Sequence, residues 1–162
     1  MDDGTSSTAT VSVTREVAAP AERVWAMVAD ITRMGEWSPE NERATWTRGR
    51  GPEVGARFRG VNRNGTRRWS TTGTVSAADP GRLFAFRITA GGLRIAEWRY
   101  EFEPIAGGCR VTEVWIDRRG RIAKALGKPV SGIGERAEHN RAGMEVTLDR
   151  LKAAAEAPDE QA

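Results

Sequence analysis

Residues 94–103 read RIAEWRYEFE, and their side chains alternate in character from one residue to the next. Ala96, Trp98, Tyr100 and Phe102 fall on one parity, and mostly charged residues fall on the other. Because successive side chains of a β-strand point to opposite faces of the sheet, the segment predicts a strand with an aromatic face and a charged face. Such a strand is typical of an antiparallel sheet with one face covered and the other in water.

Similar strands are predicted on both sides of this segment. Valines on one parity mark a first strand from Val11 to Val17. Turns are predicted at Asn64-Gly65, which indicates a tight hairpin, and at Asp79-Pro80-Gly81, Gly91-Gly92 and Ala106-Gly107-Gly108. The strands between turns span residues 43–48, 56–62, 67–77, 82–89, 94–103 and 109–117. The sequence therefore predicts about seven strands, six of them in an antiparallel meander.

Two short helices are predicted after the first strand. Pro20 suits the first turn of a helix that runs to about Ala29, and Asp30 is placed to cap a second short turn through Met34. Glycine, serine and proline then predict a loop that carries Trp37. We expect this loop to border an open end of the fold.

A long helix is predicted at the end of the chain. Apolar and small residues recur at three- and four-residue spacings from Ile133 to Leu151, which indicates a helix about 30 Å long that ends near Ala155. Its stripe includes Asn140, whose amide needs partners if it is buried. All six tryptophans precede this helix. The pattern predicts a curved sheet that closes on one helix.

The segment between the last strand and this helix is rich in helix breakers. Residues 121–126 are long enough for one or two helical turns. Gly127, Pro129, Gly132 and Gly134 are expected to interrupt any continuous helix beyond them. The sequence therefore predicts a mobile crossing here.

The length of 162 residues fits one domain, predicted to span residues 11–155 between a disordered leader, residues 1–10, and a frayed tail, residues 156–162. The leader lacks the basic start and apolar stretch of a secretory signal, and no apolar run reaches the roughly 20 residues that cross a bilayer. A single cysteine, Cys109, excludes an internal disulfide. We expect a cytoplasmic protein without membrane insertion.

The charge pattern argues against nucleic acid as a partner. The formal net charge is only +3, and arginines in residues 57–68 and 118–124 alternate or mix with other residue types. Nucleic-acid binding requires a basic face that carries aromatic platforms, whereas this alternation is typical of a solvated sheet face. Oligomeric state is left open between a monomer and a homodimer.

The order of elements resembles the START-like, helix-grip superfamily (SRPBCC). The segments APAERVW at 19–25, Asp30 and WSPE at 37–40 are similar to its polyketide cyclase/dehydrase branch. Segments that resemble actinobacterial members are GARFRG at 55–60, WRYE at 98–101, VTE at 111–113, and the pairs Gly143-Met144 and Thr147-Leu148. The resemblance covers about residues 11–155. It implies an α+β helix-grip fold, in which a curved antiparallel sheet wraps around the C-terminal helix.

The resemblance also implies a mostly apolar cavity between the sheet and the long helix, open near the Trp37 loop and the crossing at residues 127–134. We select the residues that line it by their inward parity on the strands and by their position on the inner stripe of the long helix. The predicted ligand-binding residues are Trp46, Phe58, Trp69, Phe86, Trp98, Tyr100, Glu113, Trp115, Asn140 and Met144, with Trp37 at the entrance. Each of these aromatic rings has the alternative of packing in a solid core.

No metal site and no cofactor are predicted. His139 is the only histidine, and it lies beside the inner stripe of the long helix. A surface position near Glu135 or Glu138 is therefore expected for it. Cys109 has no thiolate-stabilising neighbour in the sequence and is expected to pack within its strand.

The candidate catalytic residues are Glu113, Tyr100 and Asn140. A glutamate that faces an apolar cavity has a raised pKa and suits acid–base chemistry. The alternative is that Glu113 pairs with Arg99 or Arg87 on a neighbouring strand. The resemblance implies that tyrosine and asparagine hydrogen bonds polarise ligand carbonyls, with proximity supplying much of the catalysis.

Three functions remain open at this stage. The first is the binding of a small hydrophobic or aromatic molecule, lipid-like or polyketide-like, in the cavity. The second is a polyketide cyclase or dehydratase type of enzyme without a metal or a nucleophile. The third is a ligand-free protein-interaction module in which the six tryptophans pack a solid core.

Overall fold

The computed structural model describes residues 8–159. Its elements in chain order are β1 (Thr10–Val17), α1 (Ala21–Ala29), a 3-10 turn (Ile31–Arg33), α2 (Met34–Trp37), β2 (Asn41–Arg48), β3 (Arg57–Asn64), β4 (Arg67–Asp79), β5 (Leu83–Ala90), β6 (Leu93–Ile105), β7 (Gly108–Asp117), α3 (Arg121–Ser131) and α4 (Arg136–Glu156). Residues 1–7 of the predicted leader and residues 160–162 of the predicted tail lie outside the described range.

The seven strands form one antiparallel sheet in the order β1–β7–β6–β5–β4–β3–β2. Strands β2 to β7 are a meander, and β1 joins it by pairing with β7, from Thr10 opposite Ile116 to Val17 opposite Cys109. Bulges interrupt the pairing within β2–β3, β4–β5 and β5–β6. Bulges bend a strand and increase its twist, which suits a sheet that curves around a helix.

The predicted hairpin between β3 and β4 is present, with its turn one residue further along the chain. Asn64 pairs with Arg67, so Gly65 and Thr66 form the turn. Gly65 has a φ of +60°, a left-handed conformation that a residue without a Cβ adopts at little cost. The predicted strand parity is unchanged, because the shift affects only the turn.

The chain around Trp37 forms a helical turn instead of the predicted loop. Asp30 caps the preceding 3-10 turn as expected, because its Oδ1 accepts a hydrogen bond from the Thr32 backbone N–H at 3.2 Å. Residues Met34–Trp37 then continue as α2, and the chain leaves the helix at Ser38. The loop prediction gave too much weight to the glycine at position 35, which α2 accommodates.

Helix α3 also corrects the prediction, because it runs unbroken from Arg121 to Ser131 through a glycine and a proline. The β3–β4 hairpin binds its C-terminal carbonyls. Asn64 Nδ2 donates to the Ser131 carbonyl at 2.9 Å, and the Arg67 guanidinium donates to the Pro129 carbonyl. These bonds satisfy groups that a helix end leaves unpaired, so tertiary contacts outweigh the local propensity.

The solid core lies beneath the second half of α4. Leu148 and Leu151 of that half are buried together with Val24 of α1 and Phe84 of β5. The first half of α4, by contrast, faces open space above the sheet. The fold therefore divides into a packed half and a hollow half.

A glycine in α4 offers a test of this helix. Gly143 lies in its interior, and an added Cβ would meet only Pro39 Cγ at 3.8 Å, an ordinary van der Waals distance. We expect Gly143→Ala to raise the free energy of unfolding by roughly 0.5–1 kcal/mol, because alanine has the higher helix propensity. Urea denaturation measures the change, and a loss of stability would mean that the methyl group crowds the Pro39 turn.

Candidate ligand-binding cavity

A cavity of about 780 Å³ occupies the hollow half of the fold. Its wall consists of the concave face of the sheet from β2 to β7, the inner side of α3, the first half of α4, and residues 31, 34 and 38–40 of the segment before β2. Most of the exposed wall is apolar. Protein interiors pack to nearly crystalline density, so a space of this size is a feature of the fold and not a packing defect.

The structure places nine of the ten predicted lining residues on the cavity wall. They are Phe58, Trp69, Phe86, Trp98, Tyr100, Glu113, Trp115, Asn140 and Met144. The tenth, Trp46, lies beside the wall and packs edge-to-face on Phe58, with ring centroids 5.9 Å apart. The sheet brings the first seven together, and α4 supplies Asn140 and Met144 from above.

Trp37 lies in the core and does not form the cavity entrance. Its side chain is 3% exposed and is absent from the cavity wall. The helical turn of α2 directs the ring inward, where the Arg33 guanidinium covers it at 4.9 Å from the centroid. The prediction failed because it rested on a loop that does not form.

Glu113 and Tyr100 form a buried pair at the sheet surface of the cavity. The Tyr100 hydroxyl donates to Glu113 Oε1 at 2.7 Å, and each residue is 2% exposed. Glu113 Oε2 is also buried and has no hydrogen-bond partner among residues 8–159. The carboxyl group therefore has one satisfied oxygen and one free oxygen next to the cavity.

Burial controls the protonation of this pair. Removal from water disfavours the carboxylate and raises the pKa of Glu113 from 4.5 to about 8, although the hydrogen bond from Tyr100 opposes the shift. Burial and the neighbouring Glu113 also raise the pKa of Tyr100 well above its usual value. Near neutral pH, Glu113 is thus mainly a neutral acid that is able to donate a proton or a hydrogen bond.

The pairing of Glu113 with Arg99 or Arg87, which the sequence left as an alternative, does not occur. Arg99 instead pairs with Glu101 on the outer face, at 3.3 Å. The register of β6 and β7 sets Tyr100 directly opposite Glu113. Counting back from the predicted three-residue turn sets Tyr100 opposite Val114 instead, because the turn in the structure has only two residues, between Ile105 and Gly108. The sequence therefore placed Tyr100 and Glu113 in the cavity lining without identifying them as a pair.

A second polar group lies in the wall at the N-terminal end of α4. Glu40 Oε2 is 2.9 Å from His139 Nε2 and 3.2 Å from Arg136 Nη1. The Arg136 guanidinium lies over the Trp69 ring, 5.9 Å from its centroid. His139 is partly exposed on α4, and its side-chain partner is Glu40, 99 residues earlier in the chain, which the sequence did not indicate.

Sequence reasoning missed Glu40, Arg136 and a polar seam on the early strands. In this seam Asn41 Nδ2 donates to Asn62 Oδ1, and Asn62 Nδ2 donates to Thr71 Oγ1, both at 3.2 Å. These residues line the cavity as well. Glu40 belongs to the motif at residues 37–40, but its partner Arg136 lies 96 residues further along the chain. Neither strand parity nor the helix stripe selected these residues as part of the cavity.

Within residues 8–159, no three His, Cys, Asp or Glu side chains form a group able to hold a metal ion. Across the same residues, no helix combines the length and the apolar character required to cross a membrane.

Residues 8–156 match the family described as polyketide cyclase / dehydrase and lipid transport, and the chain belongs to this family. The match confirms the resemblance drawn from the motifs at residues 19–25 and 37–40. No protein of curated function matches the sequence.

Solved structures with the same fold include both single-domain and di-domain proteins. The Polyketide_cyc-like protein Cgl2372 from Corynebacterium glutamicum is 34% identical over 92% of each chain, with a TM-score of 0.63, and it confirms the predicted helix-grip fold. The di-domain ARO/CYC protein StfQ of the steffimycin biosynthetic pathway is 17% identical, with a TM-score of 0.71 over 92% of this chain. BexL, the di-domain ARO/CYC protein of the BE-7585A pathway, is 21% identical, with a TM-score of 0.69 over 93% of this chain. The present chain covers 51% of each di-domain protein.

Proposed function

We propose that this protein binds a small hydrophobic or aromatic molecule, lipid-like or polyketide-like, in the cavity between the sheet and α4. The observation that carries the proposal is the apolar cavity of about 780 Å³, whose volume falls within the range of small-molecule sites, roughly 300–1,000 Å³. Family membership supports the same class of ligand. The ligand-free interaction module predicted a filled interior, which this cavity contradicts.

Binding can be tested with the tryptophans as the signal. Native mass spectrometry of the purified protein, beside denaturing spectra after solvent extraction, detects a co-purifying molecule. Titration with a fatty acid, a flavonoid and a sterol then follows tryptophan fluorescence. Trp98→Ala removes a ring from the wall, and we expect it to weaken binding by roughly tenfold or more.

Trp25→Ala is the matched control, because Trp25 is also partly buried and lies outside the wall, where it packs on Phe84. It should leave affinity within about twofold of the wild type. If no compound co-purifies and none of the three probes binds, the cavity does not serve this class of ligand. Equal losses in both variants would mean that the stability of the fold, and not cavity contact, controls the signal.

A cyclase or dehydratase activity is the second candidate, and the Tyr100–Glu113 pair favours it. A neutral carboxyl group beside an apolar cavity is able to donate a proton to a carbonyl oxygen of a bound ligand. If the protein is such an enzyme, Glu113→Gln should still bind the molecule that mass spectrometry identifies, but should no longer convert it to product. Product formation measured by mass spectrometry separates the two candidates.

We also propose that one domain, residues 11–155, acts in the cytoplasm as a monomer or homodimer without a nucleic-acid partner. The small net charge and the buried, unpaired Cys109 support this assignment. Light scattering on the purified protein tests the oligomeric state, and a higher oligomer would contradict the proposal.

A further inference from the structure

Helix α3 buries small residues and exposes its large apolar residues, which is the reverse of the usual arrangement in globular proteins. Its buried residues are the small Ala123 and Ser131, whereas Ile122, Leu126 and Val130 are 67%, 51% and 47% exposed. These three follow one another at four-residue spacing and form a continuous apolar stripe along the helix. Globular proteins normally bury such a stripe, so its exposure requires an explanation.

The stripe borders the cavity, and we call the part of the cavity wall that is exposed here its mouth. Leu126 and Val130 belong to the cavity wall, as does Val146 of α4, which is 37% exposed. Five large hydrophobic residues are exposed among residues 8–159, and four of them belong to α3 or to this part of α4. The fifth, Val54, lies beyond the other end of β3. Exposed apolar surface is thus concentrated at the mouth.

The other exposed side of α3 is cationic. Arg121, Lys124 and Lys128 are exposed, and the sequence of α3 contains no acidic residue. The hairpin that binds the end of this helix adds the exposed Arg67, whose guanidinium donates to the Pro129 carbonyl. An apolar stripe and a cationic side on one helix are the features that an anionic lipid surface attracts.

We propose that α3 docks on an anionic lipid surface, with Ile122, Leu126 and Val130 at the boundary between headgroups and acyl chains. Eleven residues are too few to cross a bilayer, so the helix lies in the plane of the surface. In this orientation the cavity mouth faces the lipid, and an apolar molecule passes between bilayer and cavity without crossing water. This inference goes beyond ligand binding, and its test does not require the ligand.

The experiment is sedimentation of the protein with vesicles of phosphatidylcholine alone and of phosphatidylcholine mixed with phosphatidylglycerol. We expect binding to the mixed vesicles that weakens as salt is raised, and little binding to the neutral ones. Ile122→Ser should reduce the partition coefficient by roughly tenfold. Replacing Lys124 and Lys128 by glutamine should reduce it by about fivefold for each charge removed.

Val54→Ser is the matched control, because Val54 is 67% exposed, as Ile122 is, and lies away from the mouth. It should bind vesicles as the wild type does. The proposal is overturned if neither vesicle binds the protein, or if Val54→Ser lowers binding as much as Ile122→Ser. It is also overturned if light scattering shows a dimer that Ile122→Ser dissociates, because a second copy of the chain would then cover the stripe.

Discussion

Glu113→Gln should abolish most of the decrease in the free energy of unfolding that the wild-type protein shows as the pH rises from about 4.5 to about 8. The pKa of Glu113 is about 8 in the folded protein, against 4.5 as its ordinary value. Between these values the folded state holds a proton that the unfolded state has released, so the free energy of unfolding falls as the pH rises. The full loss is on the order of 5 kcal/mol, since the two pKa values differ by about 3.5 units and each unit corresponds to about 1.4 kcal/mol.

Urea denaturation of both proteins at several pH values measures this difference. Glutamine keeps an oxygen that accepts the Tyr100 hydrogen bond and carries no charge at any pH, so the variant should be the more stable protein at pH 8. Glu101→Gln is the control, because Glu101 lies on the outer face beside Arg99 and is largely exposed. It should preserve the wild-type pH dependence. Parallel pH profiles for wild type and Glu113→Gln would show that Glu113 is ionised in the folded protein.

Gly73→Ala should destabilise the protein by about 3 kcal/mol or more. Gly73 lies directly opposite Phe58 across β3 and β4, and an added Cβ would come closer than 3.0 Å to the Phe58 ring. The ring cannot move aside easily, because Trp46 and Phe86 pack against it with centroids 5.9 and 5.3 Å away. The substitution therefore forces a strained strand or a displaced aromatic cluster.

A double-mutant cycle with Phe58→Ala tests this cause. Once the ring is removed, the alanine at position 73 has space, so the double variant should be no less stable than Phe58→Ala alone. Additive losses from the two substitutions would mean that the backbone of β4, and not the ring, rejects a side chain at Gly73. Thermal unfolding of the four proteins gives the coupling free energy.

The sheet was predictable because its signals are local. Period-two alternation sets the inward face of each strand, and turns such as Gly91-Gly92 divide the meander. Helix α3 was not predictable from local propensity. Gly127 and Pro129 predict an interruption, whereas the helix is held by Asn64 and Arg67 of a hairpin more than sixty residues earlier in the chain.

The cavity wall was predictable to the extent that it follows from strand parity. Parity selected Trp98, Glu113 and Trp115, which all line the cavity. It could not identify the bond between Glu40 and Arg136, because nothing in either segment indicates that the two segments meet. The cavity volume could not be predicted either, since it depends on the distance between α4 and the sheet.

The pairing of β1 with β7 has a consequence for how the chain is synthesised. Val17 and Cys109 are partners in the sheet, although 92 residues separate them, and Thr10 and Ile116 are further apart still. A ribosome that adds about 5–20 residues per second exposes β1 roughly 5–20 s before its partner strand exists. Throughout that interval the strand has an unpaired edge. Its alternation of valines with Ser12, Thr14 and Glu16 gives it one polar face, which limits its tendency to join the wrong strand while the rest of the sheet is made.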